Sequence, residues 1–181
     1  MLLAARQKSW VQSILQWFPN YFAENIFMQI FGFTKVPVLF FLQPRVIELS
    51  ETTCVIKIPL NWRSKNHVNS MYFGALAAGA DCAGGFMAMK IIYEQKLPVT
   101  IVFKDFHAEF LRRAEGDVYF VCDDGRAVQE MMTEAAHSGE RQNMQVDVTA
   151  YVPSDRPQDP VARFRLTLSA KKRSHAKNRK N

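Results

Sequence analysis

Apolar and polar residues alternate with two different periods along this chain, and the periods divide it into helices and strands. Residues 7–32 carry apolar and aromatic side chains at helical spacing, and Pro19 predicts a break into two helices. Strand character begins near Pro37 and is interrupted at Pro44. In the next predicted strand every second residue is apolar and faces one side: Cys54, Ile56, Ile58 and Leu60.

A long helix over 71–92 follows, built mostly from alanine, glycine and methionine. The strand predicted over 99–112 alternates strictly, which places Phe103 and Phe106 on opposite faces. The remaining predicted elements are a short strand over 117–122, an amphipathic helix over 124–139, and two long strands over 144–152 and 162–168.

This order of elements predicts an α+β fold. Clean alternation is typical of an antiparallel sheet with one packed face and one wetter face. The long helix has few large side chains, so it can lie very close to that sheet. One of its faces carries Gly74, Ala78, Asp81 and Gly85. We therefore expect an antiparallel sheet wrapped around one long central helix, with an N-terminal helical extension.

The 181 residues suffice for one domain with a substantial core. Six of the last eleven residues are basic, and without them the chain has 17 basic and 17 acidic residues. Such a tail most often solubilises a protein, although it can also bind RNA or an anionic membrane. The sequence therefore predicts three segments: a helical segment over 1–35 that packs on the domain, the domain itself over 36–170, and the basic tail over 171–181.

Three widely spaced cysteines, Cys54, Cys82 and Cys122, lie in apolar runs and form no C-x-x-C pair. Neither a disulfide framework nor a zinc site is predicted, and a reducing, cytoplasmic setting fits. Residues 71–89 are long enough to cross a membrane. Because large aliphatic residues are scarce there and an aspartate is central, burial in a soluble core is the better interpretation.

The segment 66–89 contains a single formal charge, Asp81. A carboxylate in an apolar helix is unfavourable to bury unless it is hydrogen-bonded or used in chemistry. Two hypotheses stay open: a catalytic carboxylate, or a structural one that accepts hydrogen bonds from N–H groups. Burial would raise the pKa of this carboxyl and hydrogen-bond donors would lower it, and the sequence alone does not decide between them.

Polar residues before the long helix are candidates for the same site. Asn66 is either a positioning residue or a loop asparagine, and His67 either lines the site or is hydrogen-bonded in the loop. Ser70 is interpreted as a helix N-cap, since no Gly-x-Ser-x-Gly elbow surrounds it. His107 alternates with Asp105 and Glu109 on the wet face of a strand, so no metal site is predicted.

Asn66, followed by the run YFGALAAGAD from Tyr72 to Asp81, resembles the hotdog-fold thioesterases of the phenylacetyl-CoA type. That branch has an Asn, a short gap, His-Gly-Gly-Ala-Leu, and Leu-Ala-Asp on its central helix. The segments NHVNSMYFGAL and PVLFFLQPRV are similar to a subfamily of this fold with a domain of unknown function. The resemblance covers about residues 36–170.

The resemblance implies an acyl-CoA thioesterase without a cofactor, acting on a coenzyme A or acyl-carrier thioester. Asp81 corresponds to the catalytic carboxylate, as nucleophile or general base, and Asn66 to the residue that positions the reacting group. The segment Tyr72, Phe73 and Gly74 corresponds to the donors that polarise the carbonyl oxygen. In the family these groups meet across a homodimer, which can pair again into a dimer of dimers.

The sequence also departs from the family pattern. Tyr72 replaces the family's His and Phe73 its first Gly, and Phe103 falls near the place of a helper serine or threonine. These bulky residues motivate an alternative, a non-catalytic acyl-CoA or lipid-binding protein of the same fold.

Overall fold

A computed structural model describes residues 21–153 and 159–173. The helices are α1 (Phe22–Lys35), α2 (Pro37–Leu42), α3 (Phe73–Glu94) and α4 (Gly125–Ser138). The strands are β1 (Arg45–Leu49), β2 (Cys54–Ile58), β3 (Val99–Phe110), β4 (Val118–Cys122), β5 (Gln142–Tyr151) and β6 (Pro160–Lys172).

The six strands form one sheet in the order β1-β2-β4-β5-β6-β3, and each neighbouring pair is antiparallel. Helix α3 lies across this sheet and contacts β2 to β6. The alternate residues of the final strands are buried as predicted, including Val146, Val148, Phe164 and Leu166. The predicted α+β architecture with a central helix and an N-terminal helix is confirmed.

The prediction of a strand beginning near Pro37 is wrong for its first half, because Pro37–Leu42 forms helix α2. Pro37 occupies the first turn, where a missing N–H breaks no hydrogen bond. Gln43 ends the helix in the left-handed conformation (φ 54°), and the chain enters strand β1 after Pro44. The short apolar run was therefore a buried helical turn, with Leu39 and Leu42 in the core.

Strand β3 contains a β-bulge, which corrects the strict alternation expected for it. Phe103 pairs with Leu168 and Phe106 pairs with Leu166, so three residues of β3 span two of β6. Since directly paired residues of antiparallel strands share a face, Phe103 and Phe106 lie on the same side of the sheet. The bulge brings both rings to the face covered by α3.

The close approach of α3 to the sheet occurs through Gly79 and Gly84 in addition to Gly85, which the sequence indicated and which faces the Phe103 ring of β3. A Cβ atom on Gly79 would overlap the ring of the fully buried Phe120, and one on Gly84 would lie 3.1 Å from a methyl group of Val146. Asp81 and Ala78, which the sequence placed on the sheet-facing side, are instead partly exposed.

Strand β6 extends into the first two residues of the predicted tail, Lys171 and Lys172. The N–H of the next residue, Arg173, donates a hydrogen bond to the Pro98 carbonyl at 2.7 Å. The first predicted helix, with Trp10 and Trp17, and the rest of the tail lie outside the described residues. Helix α3 is long and apolar enough to cross a membrane, yet 67% of the qualifying stretch is buried inside the protein, as in a core helix.

Candidate active site

An apolar cleft of about 330 Å³, here called the Asp81 cleft, lies between the N-terminal helices, α3 and the end of the sheet. Among the described residues that line it, Asp81 carries the only charge. The other lining residues are Phe27, Met28, Phe31, Val36, Leu39, Cys82, Gly85, Phe86, Met89, Ile101, Val102, Phe103 and Leu168. The cleft therefore suits an apolar chain with a reactive group at one carboxylate.

The Asp81 carboxylate accepts no hydrogen bond from any residue that the structure describes. Burial among apolar side chains raises its pKa above the ordinary aspartate value, because the charged form is poorly solvated there. The structural hypothesis, in which N–H groups of the same chain hold this carboxylate, has no support in the described protomer. A carboxylate in this state is a stronger base than one in water.

Asp81 also borders a second, more open cleft of about 310 Å³, the edge cleft, beside strand β3. Both clefts share Val36, Leu39, Asp81 and Phe103. The edge cleft also contacts Ala78 of α3 and Phe106 of the edge strand β3. Asp81 therefore lies where the two clefts meet.

The loop before α3 lines a separate depression of about 500 Å³, the Asn66 cleft. It contains Asn66, His67, Ser70, Met71, Tyr72, Phe73, Leu76, Phe110, Arg112, Arg113 and Ala114. The Asn66 side chain is engaged within its own loop. Its Oδ1 accepts the N–H of Val68 at 3.0 Å and that of Ser70 at 3.2 Å, and its Nδ2 donates to Ser70 Oγ at 3.1 Å.

The interpretation of Ser70 as the N-cap is wrong. The N-cap of α3 is Tyr72, and no side chain caps this helix. Ser70 is buried and holds the preceding loop through Asn66 instead.

The N–H groups of Phe73 and Gly74 have no acceptor among the described residues. Unpaired N–H groups at a helix N-terminus, together with the helix dipole, favour negative charge. The Tyr72 ring packs so closely on Gly74 that a Cβ atom there would overlap it. Phe73 is 59% exposed.

Within one chain these two groups do not meet. Phe73 and Asp81 are eight residues apart on α3, which corresponds to about 12 Å along a helix. Asp81 and Phe103 line one cleft, whereas Asn66, His67, Ser70, Tyr72 and Phe73 line the other. Each cleft thus contains a different part of the residue set that the sequence suggested.

Sequence reasoning placed the aromatic residues of 31–41, which include Phe31, in the wall of an acyl cleft, but it did not single out Phe27 or Phe86. Phe27 and Phe31 are one helical turn apart and stack with ring centroids 6.3 Å apart, and Phe27 meets Phe86 edge-on at 5.9 Å. Their helical spacing indicated a buried face, but not that this face would border Asp81.

His107 faces the outer side of the sheet beside Glu109, Arg163 and Arg165. Within residues 21–153 and 159–173, no three histidine, cysteine or acidic side chains converge as metal ligands would.

Residues 23–169 match the model of DUF4442, a domain of unknown function. The chain belongs to this family. DUF4442 thus includes most of helix α1 and nearly all of β6 in one unit. No curated protein sequence matches the chain.

Solved structures resemble this DUF4442 chain over most of its length. A Chlorobaculum tepidum protein of unknown function, OLEI01261, has a TM-score of 0.69 at 15% identity, covering 82% of this chain and 94% of its own. Thioesterase HI1161 from Haemophilus influenzae has a TM-score of 0.62 at 16% identity, covering 83% and 92%. A variant of thioesterase PA1618 from Pseudomonas aeruginosa has 0.58 at 16%, covering 80% and 91%. These likenesses show that the chain has the fold of these proteins, the hotdog fold.

Proposed function

We propose that this protein hydrolyses acyl thioesters, with coenzyme A or an acyl carrier as the thiol part, at a site shared by two subunits. Asp81 acts there as nucleophile or general base. The observation that supports this most is the position of Asp81 in an otherwise apolar cleft, where its carboxylate has no hydrogen-bond donor among the residues that the structure describes. An acyl chain fits the apolar walls, and its thioester carbonyl would lie at the carboxylate.

The separation of the two half-sites favours a second copy of the chain as the partner. Strand β3 is an edge strand of 12 residues that pairs only with β6 in the described sheet. Its exposed apolar side chains include Val102, Phe106 and Phe110. A long apolar edge of this kind is a template for pairing with another strand. Pairing of two β3 edges would bring the partner's Phe73 and Gly74 toward Asp81.

In the proposed reaction, the Asp81 carboxylate attacks the thioester carbonyl carbon or removes a proton from a water molecule that attacks it. The carbonyl oxygen gains negative charge, and the partner's Phe73 and Gly74 would stabilise it through their N–H groups. The carbon–sulfur bond then breaks and the sulfur leaves as a thiolate, which becomes the free thiol by taking up a proton from the water molecule consumed in the reaction. If Asp81 is the nucleophile, water hydrolyses the resulting anhydride; both routes consume one water molecule and release a carboxylic acid.

The charge of the Asn66 cleft supports a coenzyme A thioester. Arg112 and Arg113 line it beside Phe73, so the partner's Arg113 would lie near the thiol part of the substrate. Guanidinium groups bind phosphate oxygens well, and coenzyme A carries several phosphates.

The test is hydrolysis of an acyl-CoA panel by the wild type and by Asp81→Asn, followed as release of free thiol. We expect kcat/KM to fall about 100-fold or more in Asp81→Asn, since general-base catalysis contributes at least that factor. Asp123→Asn is the matched control, because Asp123 is exposed and lines none of the three clefts described above. Full activity of Asp81→Asn, or a wild type inactive on every chain length, would contradict the proposal.

A non-catalytic acyl-binding role is the second candidate, and the engagement of Asn66 favours it. Both polar atoms of that amide are used within residues 66–70, so in this state it positions no substrate. Phe103 also gives the Asp81 cleft an aromatic wall where a hydroxyl could assist catalysis. Native mass spectrometry that finds retained acyl ligands, together with absent hydrolysis, would favour this role.

A further inference from the structure

Three clefts follow one another along helix α3. The edge cleft contacts Ala77, Ala78 and Asp81, and the Asp81 cleft contacts the helix from Asp81 to Met89. A third cleft of about 200 Å³, the Lys90 cleft, lies against Ala23, Glu24, Phe27, Phe86, Lys90, Tyr93 and Glu94. An apolar chain that starts at Asp81 and runs toward the C-terminal end of α3 therefore approaches the Lys90 cleft.

Two aromatic rings form the common wall of the Asp81 cleft and the Lys90 cleft. They are Phe27 and Phe86, whose centroids are 5.9 Å apart in an edge-on contact. Tyr93 holds the Phe27 ring from the far side, with a centroid distance of 4.8 Å. Phe86 is buried within α3, whereas Phe27 comes from the separate helix α1.

Three charged side chains line the Lys90 cleft: Glu24, Lys90 and Glu94. Lys90 Nζ lies 3.0 Å from Glu24 Oε1 and 3.6 Å from Glu94 Oε1. Because Glu24 lies one helical turn before Phe27, this ion pair fixes α1 against α3 at the level of the aromatic wall. The wall therefore belongs to a braced contact between two helices.

We propose that Phe27 sets the upper limit of acyl-chain length in this protein, by closing the Asp81 cleft where the Lys90 cleft begins. This inference rests on the proposed function, in which the acyl chain occupies the Asp81 cleft. Removal of the Phe27 ring joins the two clefts, and longer chains then extend past Phe86 toward Tyr93.

The experiment measures kcat/KM for saturated acyl-CoA substrates of increasing length, with the wild type and with Phe27→Ala. We expect the preferred length to increase by at least two carbons in Phe27→Ala. On the longer chains kcat/KM should rise about tenfold or more, since each buried methylene contributes roughly fourfold in affinity. Phe27→Leu, which retains most of the buried surface, should show a smaller shift and serves if Phe27→Ala does not fold.

The control variant places a new aromatic ring in the Lys90 cleft and leaves residue 27 as alanine. Ala23 lines that cleft and lies one turn before Phe27 on an exposed position of α1. In the double variant Phe27→Ala with Ala23→Phe, the new ring occupies the joined space, and the preferred chain length should return to that of the wild type. A general loosening of the protein would not be reversed in this way.

Calorimetric binding of S-alkyl-CoA thioethers, which cannot be hydrolysed, separates the two proposals. If the wild type hydrolyses acyl-CoA but Phe27→Ala shifts neither the kinetic nor the binding preference, the role of Phe27 is overturned and the thioesterase proposal stands. If thioethers bind with the expected shift but no substrate is hydrolysed, Phe27 keeps its role and the enzymatic proposal fails. Absence of both binding and hydrolysis overturns both.

Discussion

Asp81 illustrates how one residue couples stability to function. Its carboxyl group lies among apolar side chains, and burial raises its pKa above the value it has in the unfolded chain. Between the unfolded and the folded pKa the native state therefore binds more protons than the unfolded state. The free energy of unfolding therefore falls as the pH rises from the unfolded to the folded pKa of Asp81. Above the folded pKa it falls no further on account of this group.

Asp81→Asn removes this ionisation, so we expect the variant to be more stable than the wild type at neutral pH. The gain should be about 1.4 kcal/mol for each pKa unit by which burial raises the Asp81 carboxyl. Urea unfolding at neutral pH and below the ordinary aspartate pKa measures it, and the difference should vanish at the lower pH. Loss of stability in Asp81→Asn at neutral pH would indicate a hydrogen-bond donor to the carboxylate.

The sequence predicted a residue of the candidate site only where the chemistry of a side chain differs from that of all its neighbours. Asp81 stands out because it is the single charge in the segment 66–89. The contacts of Asn66 were not predictable, since an amide can serve a loop or a substrate equally well. Phe27 was read as part of a helical face, because aromatic residues at helical spacing are usually core residues.

At the scale of elements, the packing of α3 on the sheet depends on Gly79. The fully buried Phe120 ring occupies the space of a side chain there and contacts Phe164 at 6.3 Å between centroids. A methyl group on Gly79 would force helix and strand apart or push the ring off its rotamer.

We expect Gly79→Ala to lower the free energy of unfolding by about 1–3 kcal/mol, as overpacking of a core does. Gly74→Ala is the matched control on the same helix. Its methyl group also overlaps a ring, but that ring belongs to Tyr72, which is 49% exposed and can rotate into solvent.

Gly74→Ala should therefore change stability by less than about 0.5 kcal/mol. Equal destabilisation of the two variants in urea unfolding would show that the helix–sheet distance is not limited by Phe120.

The two wrong predictions of secondary structure, the strand at Pro37 and the strict alternation in β3, have a common physical origin. The run Pro37–Leu42 is short and apolar throughout, and periodicity cannot separate a buried helical turn from a buried strand at that length. The bulge in β3 inserts one residue and inverts the alternation beyond it, so Phe106 joined the face of Phe103. Both features depend on what packs against the segment.

At the scale of the whole molecule, the two edges of the sheet differ. Strand β1 has five residues with a register shift next to Ile47, which interrupts pairing with a further strand. Strand β3 has 12 residues, is bordered by the edge cleft and leads to Asp81. We therefore expect the second subunit to bind at β3.

If the proposed dimer forms through β3, Phe106→Lys should convert it to a monomer, because a charged side chain on an edge strand opposes strand pairing. Ile47→Lys, at a similarly exposed position on the other edge, should remain dimeric. Light scattering coupled to size-exclusion chromatography gives the mass of each variant.

Loss of the dimer should also reduce thioester hydrolysis, since the proposed site needs N–H groups of the partner. A monomeric wild type, or a dimer unaffected by Phe106→Lys, would contradict the proposed β3 interface.

The sequence by itself determined the order of elements apart from α2, the buried residues of the strands without a bulge, and Asp81 as the single charge of the segment 66–89. Each of these follows from local periods of side-chain direction, two residues in a strand and 3.6 in a helix. Only the tertiary structure decided which faces meet. Cys54 and Cys122, 68 positions apart, stand opposite each other as buried thiols in the β2–β4 ladder, where burial raises the pKa of Cys122 to about 11. Phe27 of α1 likewise meets Phe86 of α3, because contacts between distant segments depend on topology and close packing, which no local period encodes.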